Sequence, residues 1–248
     1  MVFDSFFDFV FGPVLALPTF WAVLVMSLLI SLIITVIYKY TTNQNLMKEM
    51  KDEIKELQKE AKELKDNPSE MMKANKKMME TNMKYMTHSL KPTLITFVPI
   101  ILIFGWMSSN FAYEPIKPKQ EFTVDAVFTE EATGKIKIYT SNEIDVQGDA
   151  EKDIKDGKAS WLLSGGKGEH LLEFGIDGEK QSINVIIDDS KYSEPLKKIK
   201  NSKIKEIVIG NRKKTVMDLF GWKLGWLGTY IIFSIVFSMG LRKLMKLY

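Results

Sequence analysis

The residues of this chain that could do chemistry are a small set of hydroxyls embedded in long apolar runs. In the run from Phe20 to Tyr38, Ser27, Ser31 and Thr35 are four residues apart and share one face of a helix. In Leu224 to Leu241, Ser234 and Ser238 repeat the pattern after Thr229 and Tyr230. Between them, Thr93 to Tyr113 carries Thr93 and Thr96 at one end and Ser108, Ser109 and Asn110 at the other, with Pro99 and Gly105 available to bend it. On one reading these faces converge on a polar, partly hydrated hollow inside the bundle. The plain alternative is close packing, in which small hydroxylated residues bond their own i−4 carbonyls and let helices approach.

Methionine is the second unusual feature. Of 14 in the chain, eight lie between the first two runs: Met47, Met50, Met71, Met72, Met78, Met79, Met83 and Met86. The doublets Met71-Met72 and Met78-Met79 place thioethers on more than one helix face. Flexible, polarisable side chains suit a surface that accepts unrelated apolar partners. Filling the seam between two Lys-rich helices is the other use they could have.

Catalytic signatures are missing. There is no P-loop, no GxGxxG after a strand and no HExxH, and the chain has no cysteine, which removes disulfides, thiolate nucleophiles and sulfur-ligated metals. His88 and His170 fall on opposite sides of the second run and cannot form a metal pair. The glycine-rich stretch Ser164-Gly165-Gly166-Lys167-Gly168 lacks Walker spacing and reads as a loop, and Glu130-Glu131 and Asp188-Asp189 read as solvated turns. No cofactor and no catalysis are expected, and a net charge of +3 is too small to argue for DNA.

The elements that hold these residues follow from composition. The 248 residues are 46% hydrophobic and 26% charged, an average that would suit a soluble protein, but the three charge-free runs are each long enough to cross a hydrocarbon core of about 30 Å. They predict transmembrane helices at 20–38, 93–113 and 224–241, retained rather than cleaved because no basic n-region precedes the first. Trp21, Tyr38, Trp106 and Tyr113 lie near span ends, where amphipathic rings prefer the headgroup level. Residues 1–19, rich in Phe, read as an aromatic element in the interface that Pro13 and Pro18 break, or as a loose leader.

Between the first two spans, Leu46, Met50, Ile54, Leu57, Ala61 and Leu64 recur at steps of three and four, as in one helix of a coiled coil. Asn67-Pro68-Ser69-Glu70 then supplies an N-cap, a first-turn proline and a capping-box acid. The second helix should fold back to give an antiparallel hairpin over 41–91. Residues 114–215 alternate short β-branched runs with Gly and Asp clusters. They predict seven strands, at 122–128, 135–140, 143–147, 159–163, 170–175, 181–187 and 203–209, with the strongest turn signal at Asp177-Gly178. The fold class is thus an α-helical membrane protein of three spans with a coiled-coil hairpin, plus an inserted all-β, sandwich-like domain.

Lys39, Lys48, Lys51, Lys84 and Lys91 flank the hairpin, so the positive-inside rule makes it cytoplasmic. The N-terminus and β-domain are then outside, and the basic tail 242–248, with Arg242, Lys243 and Lys246, is inside a plasma membrane. Arg212, Lys213, Lys214 and Lys223 lie on the proposed outer side, against the rule, but at the end of a long translocated domain where charge counts for less.

This order of parts resembles the archaeal short form of the YidC/Oxa/Alb membrane insertase superfamily. The likeness covers Phe3 to about Tyr113 and Trp222 to Tyr248, and leaves the β-domain outside the shared core. The resemblance implies an amphiphilic groove, with walls here at Ser27, Ser31, Thr35, Thr93, Thr96, Ser234 and Ser238, that receives nascent membrane proteins and releases them laterally into lipid. It also implies that the hairpin, through Met71, Met72, Met78, Met79, Met83 and Met86, meets ribosome-bound chains. Two departures stand out. Many bacterial relatives place an arginine in the groove, whereas none of the three charge-free spans holds a basic residue. Those relatives also have extra spans, so a second membrane subunit or a homo-oligomer joins the expected partners. A membrane anchor or scaffold, linking an outside partner to a cytoplasmic coiled coil, is the competing class. An ion channel has less support, since no ring of charge is visible.

Overall fold

A computed structural model of the chain describes residues 2–129 and 132–247, with side chains from Ser5 onward. The turn expected at Glu130-Glu131, the terminal Tyr248 and the side chain of Phe3 lie outside the described residues. The chain divides into two compact units, Met1–Trp106 with Val216–Tyr248, and Met107–Thr215.

The first unit is built from helices. Helix α1 (Val2–Leu15) precedes α2 (Thr19–Thr41), and α3 (Gln44–Glu63) is followed by a 3-10 turn (Leu64–Asp66), α4 (Pro68–Phe111) and, after the β-rich insert, α5 (Trp226–Leu244). Three of them, α2, α4 and α5, are long and apolar enough to cross a membrane. Pro13 does not end α1 as expected. It sits in the last turn, where its missing N–H removes one bond and the helix stops two residues later. Nor is α1 a loose leader: Phe7 and Phe11 are buried, Phe11 meets the Trp106 ring at 5.5 Å, and Trp106 Nε1 donates to Asp8 Oδ1 at 2.7 Å.

Local chemistry explains the helix starts. Asn43 caps α3 by accepting from the Leu46 N–H, and Asn67 caps α4 by accepting from the Glu70 N–H, with Pro68 in the first turn. The Glu70 carboxylate bonds Lys73 at 2.8 Å. Glu53 of α3 reaches Lys77 and Thr81 of α4, and Met47, Met50 and Leu57 on α3 and Ala74 on α4 are buried. From there α4 continues without interruption through Pro92 and Pro99 to Phe111. The segments read separately as a second arm and a second span are one helix of 44 residues.

The second unit holds two antiparallel sheets. Strands β1 (Phe122–Phe128), β2 (Lys135–Tyr139), β3 (Ile144–Gln147), β4 (Glu151–Asp153), β5 (Lys158–Gly165), β6 (Gly168–Ile176), β7 (Glu179–Ile187), β8 (Leu196–Lys198) and β9 (Ile204–Ile209) are ordered β3-β5-β1-β9-β8 in one and β4-β2-β6-β7 in the other. Alternation along β1, β5 and β6 turns every second residue inward, and the inward residues of both sheets share one core around Trp161 and Phe174, whose rings meet edge to face at 5.5 Å. The β6–β7 turn at Asp177-Gly178 has positive φ at both residues, the conformation this dipeptide favours. Gly165 is required for a different reason, since a Cβ there would lie 2.5 Å from Ile144 Cδ1 and 2.9 Å from the Glu143 carbonyl.

Within this unit the end of α4 is held by Tyr192. Its hydroxyl donates to the Ser108 carbonyl and accepts from the Ala112 N–H at 2.8 Å, joining two backbone groups at the helix terminus. Burial pushes the Tyr192 phenol above its ordinary pKa, so it stays a donor at neutral pH. A last pair, β10 (Met217–Leu219) and β11 (Trp222–Leu224), belongs to the first unit and leads into α5.

Candidate functional site

The closest helix pair of the first unit is α2 with α5. Ala22, Val23, Met26 and Ile30 are fully buried on α2, Phe20 meets Phe233 edge to face at 5.8 Å, and Ser31 Oγ donates across the pair to the Ser234 carbonyl at 3.4 Å. At this seam the hydroxyls divide into two groups. Ser27 donates to the Val23 carbonyl at 2.7 Å and Thr35 to the Ser31 carbonyl at 2.6 Å, and both side chains are buried. These two bond their own helix, as packing residues do. Ser31, Ser234 and Ser238 line a hollow of about 370 Å³ with Ile34, Tyr230, Ile235, Met239 and Arg242, although Ser234 Oγ also donates to the Ile231 carbonyl of its own helix at 3.0 Å.

A second hollow, of about 270 Å³, adjoins it and shares Ile34 and Arg242. It is lined further by Tyr38 of α2 and by Tyr85, Ser89, Pro92, Thr93 and Thr96 of α4. Thr93 is exposed and donates to the Ser89 carbonyl at 3.1 Å, while Thr96 is buried and shares its proton between the Pro92 and Thr93 carbonyls, each at 3.1 Å. Five of the seven hydroxyl residues singled out above therefore converge on two neighbouring hollows between α2, α4 and α5, and two do not.

Arg242 was missed as a site residue. It falls in the segment read as a basic tail, yet α5 runs on to Leu244 and puts Arg242 in its last turn, so the third helix does carry a basic residue. The guanidinium lies 4.8 Å from the centre of the Tyr38 ring, a cation–π contact, and borders both hollows. A cation also suits the negative end of the helix dipole. The signal was present in the sequence: Tyr230, Ser234, Ser238 and Arg242 are four apart, and one more step along the serine face reaches the arginine. From Tyr230 to Arg242 this polar line covers about 18 Å of helix, more than half of a hydrocarbon core. It combines neutral hydroxyls deep in the span with one charge near its end, an arrangement able to hold a hydrated or polar peptide segment.

The methionines divide by helix. Met47 and Met50 of α3 are buried in one cluster with Tyr38 of α2. On α4, Met71 and Met78 are half-buried, whereas Met72, Met79, Met83 and Met86 are exposed. Exposed apolar residues continue as Leu90, Leu94, Phe97 and Ile101, at steps of three, four and seven, which keeps all eight on one face of a single helix. The stripe from Met72 to Ile101 is about 44 Å long. It begins on the arm and ends inside the span.

Elsewhere, the expected loop at Gly166-Lys167 is the β5–β6 turn, with Lys167 bridging Asp188 at 3.0 Å and Asp189 at 3.3 Å. The Ser190 N–H and Lys167 hold the Asp188 carboxyl well below the usual range. His170 is buried with Nε2 at 3.0 Å from the Gly166 carbonyl. Among the described residues no group of three or more His, Asp or Glu gathers as metal ligands would.

A family model described as integral membrane protein EMC3/TMCO1-like matches residues 6–154, from α1 to the fourth strand of the β unit. The chain belongs to this family, which is part of the YidC/Oxa1/Alb3 insertase superfamily and is linked to membrane protein insertion rather than to a known catalytic activity. The match reaches into the β unit, beyond the core that the resemblance covered. Comparison with curated proteins and with solved structures gave no match.

Proposed function

We propose that the protein is a membrane protein insertase. The exposed stripe of α4 receives an apolar segment of a nascent, ribosome-bound chain, and the hollows between α2, α4 and α5 take up its polar flank while the apolar part leaves sideways into lipid. The observation that carries this reading is the line Ser234–Ser238–Arg242 beside Thr93 and Thr96: a polar lining that enters the apolar bundle from one end. The lysines that flank α3 and the first half of α4 support a cytoplasmic placement of the two arms as a coiled-coil hairpin, with the N-terminus and β unit outside.

The energetics fit a device without ATP. Each apolar residue of a client span gains roughly 0.3 to 0.6 kcal/mol at the bilayer centre, while a charged residue in its flank costs roughly 2.5 to 3.5 kcal/mol. Partition of the span is downhill, and the flank is the obstacle. Hydroxyls, a guanidinium and water partway across the bilayer lower that obstacle, and no bond is made or broken. Three helices among the described residues are long and apolar enough to span, and a second membrane subunit or a second copy would complete the enclosure.

A membrane scaffold is the second reading, favoured by one observation: Ser27 and Thr35 are dry packing residues. The two readings separate on the least packed hydroxyls. Replacing Thr93 and Ser238 together by leucine leaves the Ser31–Ser234 contact of the α2–α5 seam in place and removes one hydroxyl from each hollow. In reconstituted vesicles the double variant is expected to insert a span with a short polar flank several-fold more slowly than the parent, with little change for a span that has no flank to translocate. Equal rates for both clients would remove the groove mechanism and leave the scaffold.

A further inference from the structure

The hairpin that leads into α5 has no part in the site above. Its register pairs Met217 with Leu224, Asp218 with Lys223 and Leu219 with Trp222. Because side chains alternate along a strand, Met217, Leu219, Trp222 and Leu224 share one face and Asp218 and Lys223 the other. Trp222 is 74% exposed, and Phe220 at the tip is 99% exposed. Phe220 also adopts a left-handed backbone, φ 52°, followed by Gly221 at φ 89°, in a turn closed by the Gly221 N–H donating to Asp218 Oδ1 at 2.8 Å. A bulky residue in that conformation is strained, and in water it gains nothing from standing fully exposed. A lone two-stranded hairpin is also marginal in water.

Two features say what covers this face. Only Gly225 separates β11 from α5, and Leu224 packs onto the first turn of the helix, where a Cβ on Gly228 would lie 3.2 Å from Leu224 Cδ2. The hairpin is therefore fixed to the end of a membrane span. That span is short: its charge-free part, Trp226 to Leu241, measures about 24 Å against a hydrocarbon core of about 30 Å. A mismatch of this sign is met by thinning the bilayer or by flanking groups that extend the apolar surface. Strands of three residues reach about 10 Å.

We propose that the β10–β11 hairpin is a lipid anchor, with Phe220, Leu219 and Trp222 seated at the boundary between headgroups and acyl chains and Asp218 and Lys223 turned to water, where it sets the depth of α5. This rests on α5 crossing the membrane and not on the insertase reading.

The absence of cysteine allows a single label in the full chain. Phe220→Cys, Trp222→Cys and Lys223→Cys variants carrying an environment-sensitive fluorophore, with Asp156→Cys in the β unit as the aqueous reference, are reconstituted in phosphatidylcholine–phosphatidylglycerol vesicles. Blue-shifted emission and quenching by doxyl groups near the headgroup are expected at 220 and 222, with weaker effects at 223, an alternation that mere closeness to the bilayer does not give. Water-like emission at 220 and 222, equal to that at 156, would overturn the anchor. So would unquenched labels at these positions together with Phe220→Cys disulfides between copies, which would assign the face to a second chain. Circular dichroism of each variant shows that the fold is retained.

Discussion

Replacing Arg242 with leucine is expected to slow insertion of a client with an acidic flank by about tenfold or more, and to slow a client with a basic flank far less. A hydrogen bond to a charged group contributes about 1.5 to 3 kcal/mol, and each 1.4 kcal/mol is a factor of about ten. The residue borders both hollows and stands on Tyr38, so one substitution withdraws the one cation that lines them among the described residues and leaves the hydroxyls in place. Arg242→Lys keeps the charge but loses the planar fork and its stacking on the ring, and should recover part of the rate. Side-chain placement at the helix terminus makes a folding defect a poor explanation of any loss, because α5 already ends two residues later. The check is the rate of protease protection of the two clients in vesicles containing purified protein. Equal slowing for both flanks would show that the charge plays no part in selection.

The second large effect is expected on the arm. Replacing Met79, Met83, Met86 and Leu90 by glutamine removes the middle of the exposed stripe and keeps good helix formers in exposed positions. An apolar side chain that is half covered by a client contributes about 1 kcal/mol, so the four together should weaken capture of an apolar segment by two to three orders of magnitude. Affinity for a labelled transmembrane peptide, measured with the detergent-solubilised protein, reads this directly. The matching substitutions at Met47 and Met50 would destabilise the fold instead, since those side chains are buried against Tyr38. Unchanged affinity in the α4 variant would mean that the stripe faces only lipid or water.

Both expectations depend on features that were partly legible in the sequence. The three apolar helices, the Asn67-Pro68 helix start and the Asp177-Gly178 turn were readable because each is set by local chemistry: hydropathy, a side-chain cap, and a dipeptide that tolerates positive φ. All seven expected strands are present within one or two residues, since each alternates over at least four positions. The short strands were not legible. Glu151-Lys152-Asp153 and Leu196-Lys197-Lys198 have no β-branched residue, and their pairing is imposed by the neighbouring strands β2 and β9.

The site was legible only in part, for two physical reasons. Periodicity places Ser27, Ser31 and Thr35 on one face but cannot say how closely another helix covers it. The α2–α5 contact buries all three and leaves only Ser31 at the edge of a hollow. Charge was used to mark where the third span ends, so Arg242 was assigned to a tail although the helix carries it back beside Tyr38. In the same way the hairpin, 41–91, and the second span, 93–113, were read as separate elements on either side of Pro92. The helix passes through it, with Thr93 and Thr96 hydroxyls bonding carbonyls around the proline. That continuity turns two separate observations, exposed methionines and an apolar span, into one stripe about 44 Å long.

An insertase of this build requires that a client pass from this stripe into the hollows. Site-specific photo-crosslinking tests it most directly, with probes at Met79, at Ser238 and, as a control, at the exposed Lys59 of α3, against ribosome-stalled chains of increasing length that expose a new transmembrane segment. Crosslinks are expected from Met79 at short chain lengths, then from Ser238 as the polar flank arrives, with none from Lys59 and none to a soluble nascent chain. Crosslinks from Met79 and Ser238 to lipid or to neighbouring membrane subunits alone, at every chain length, would contradict it.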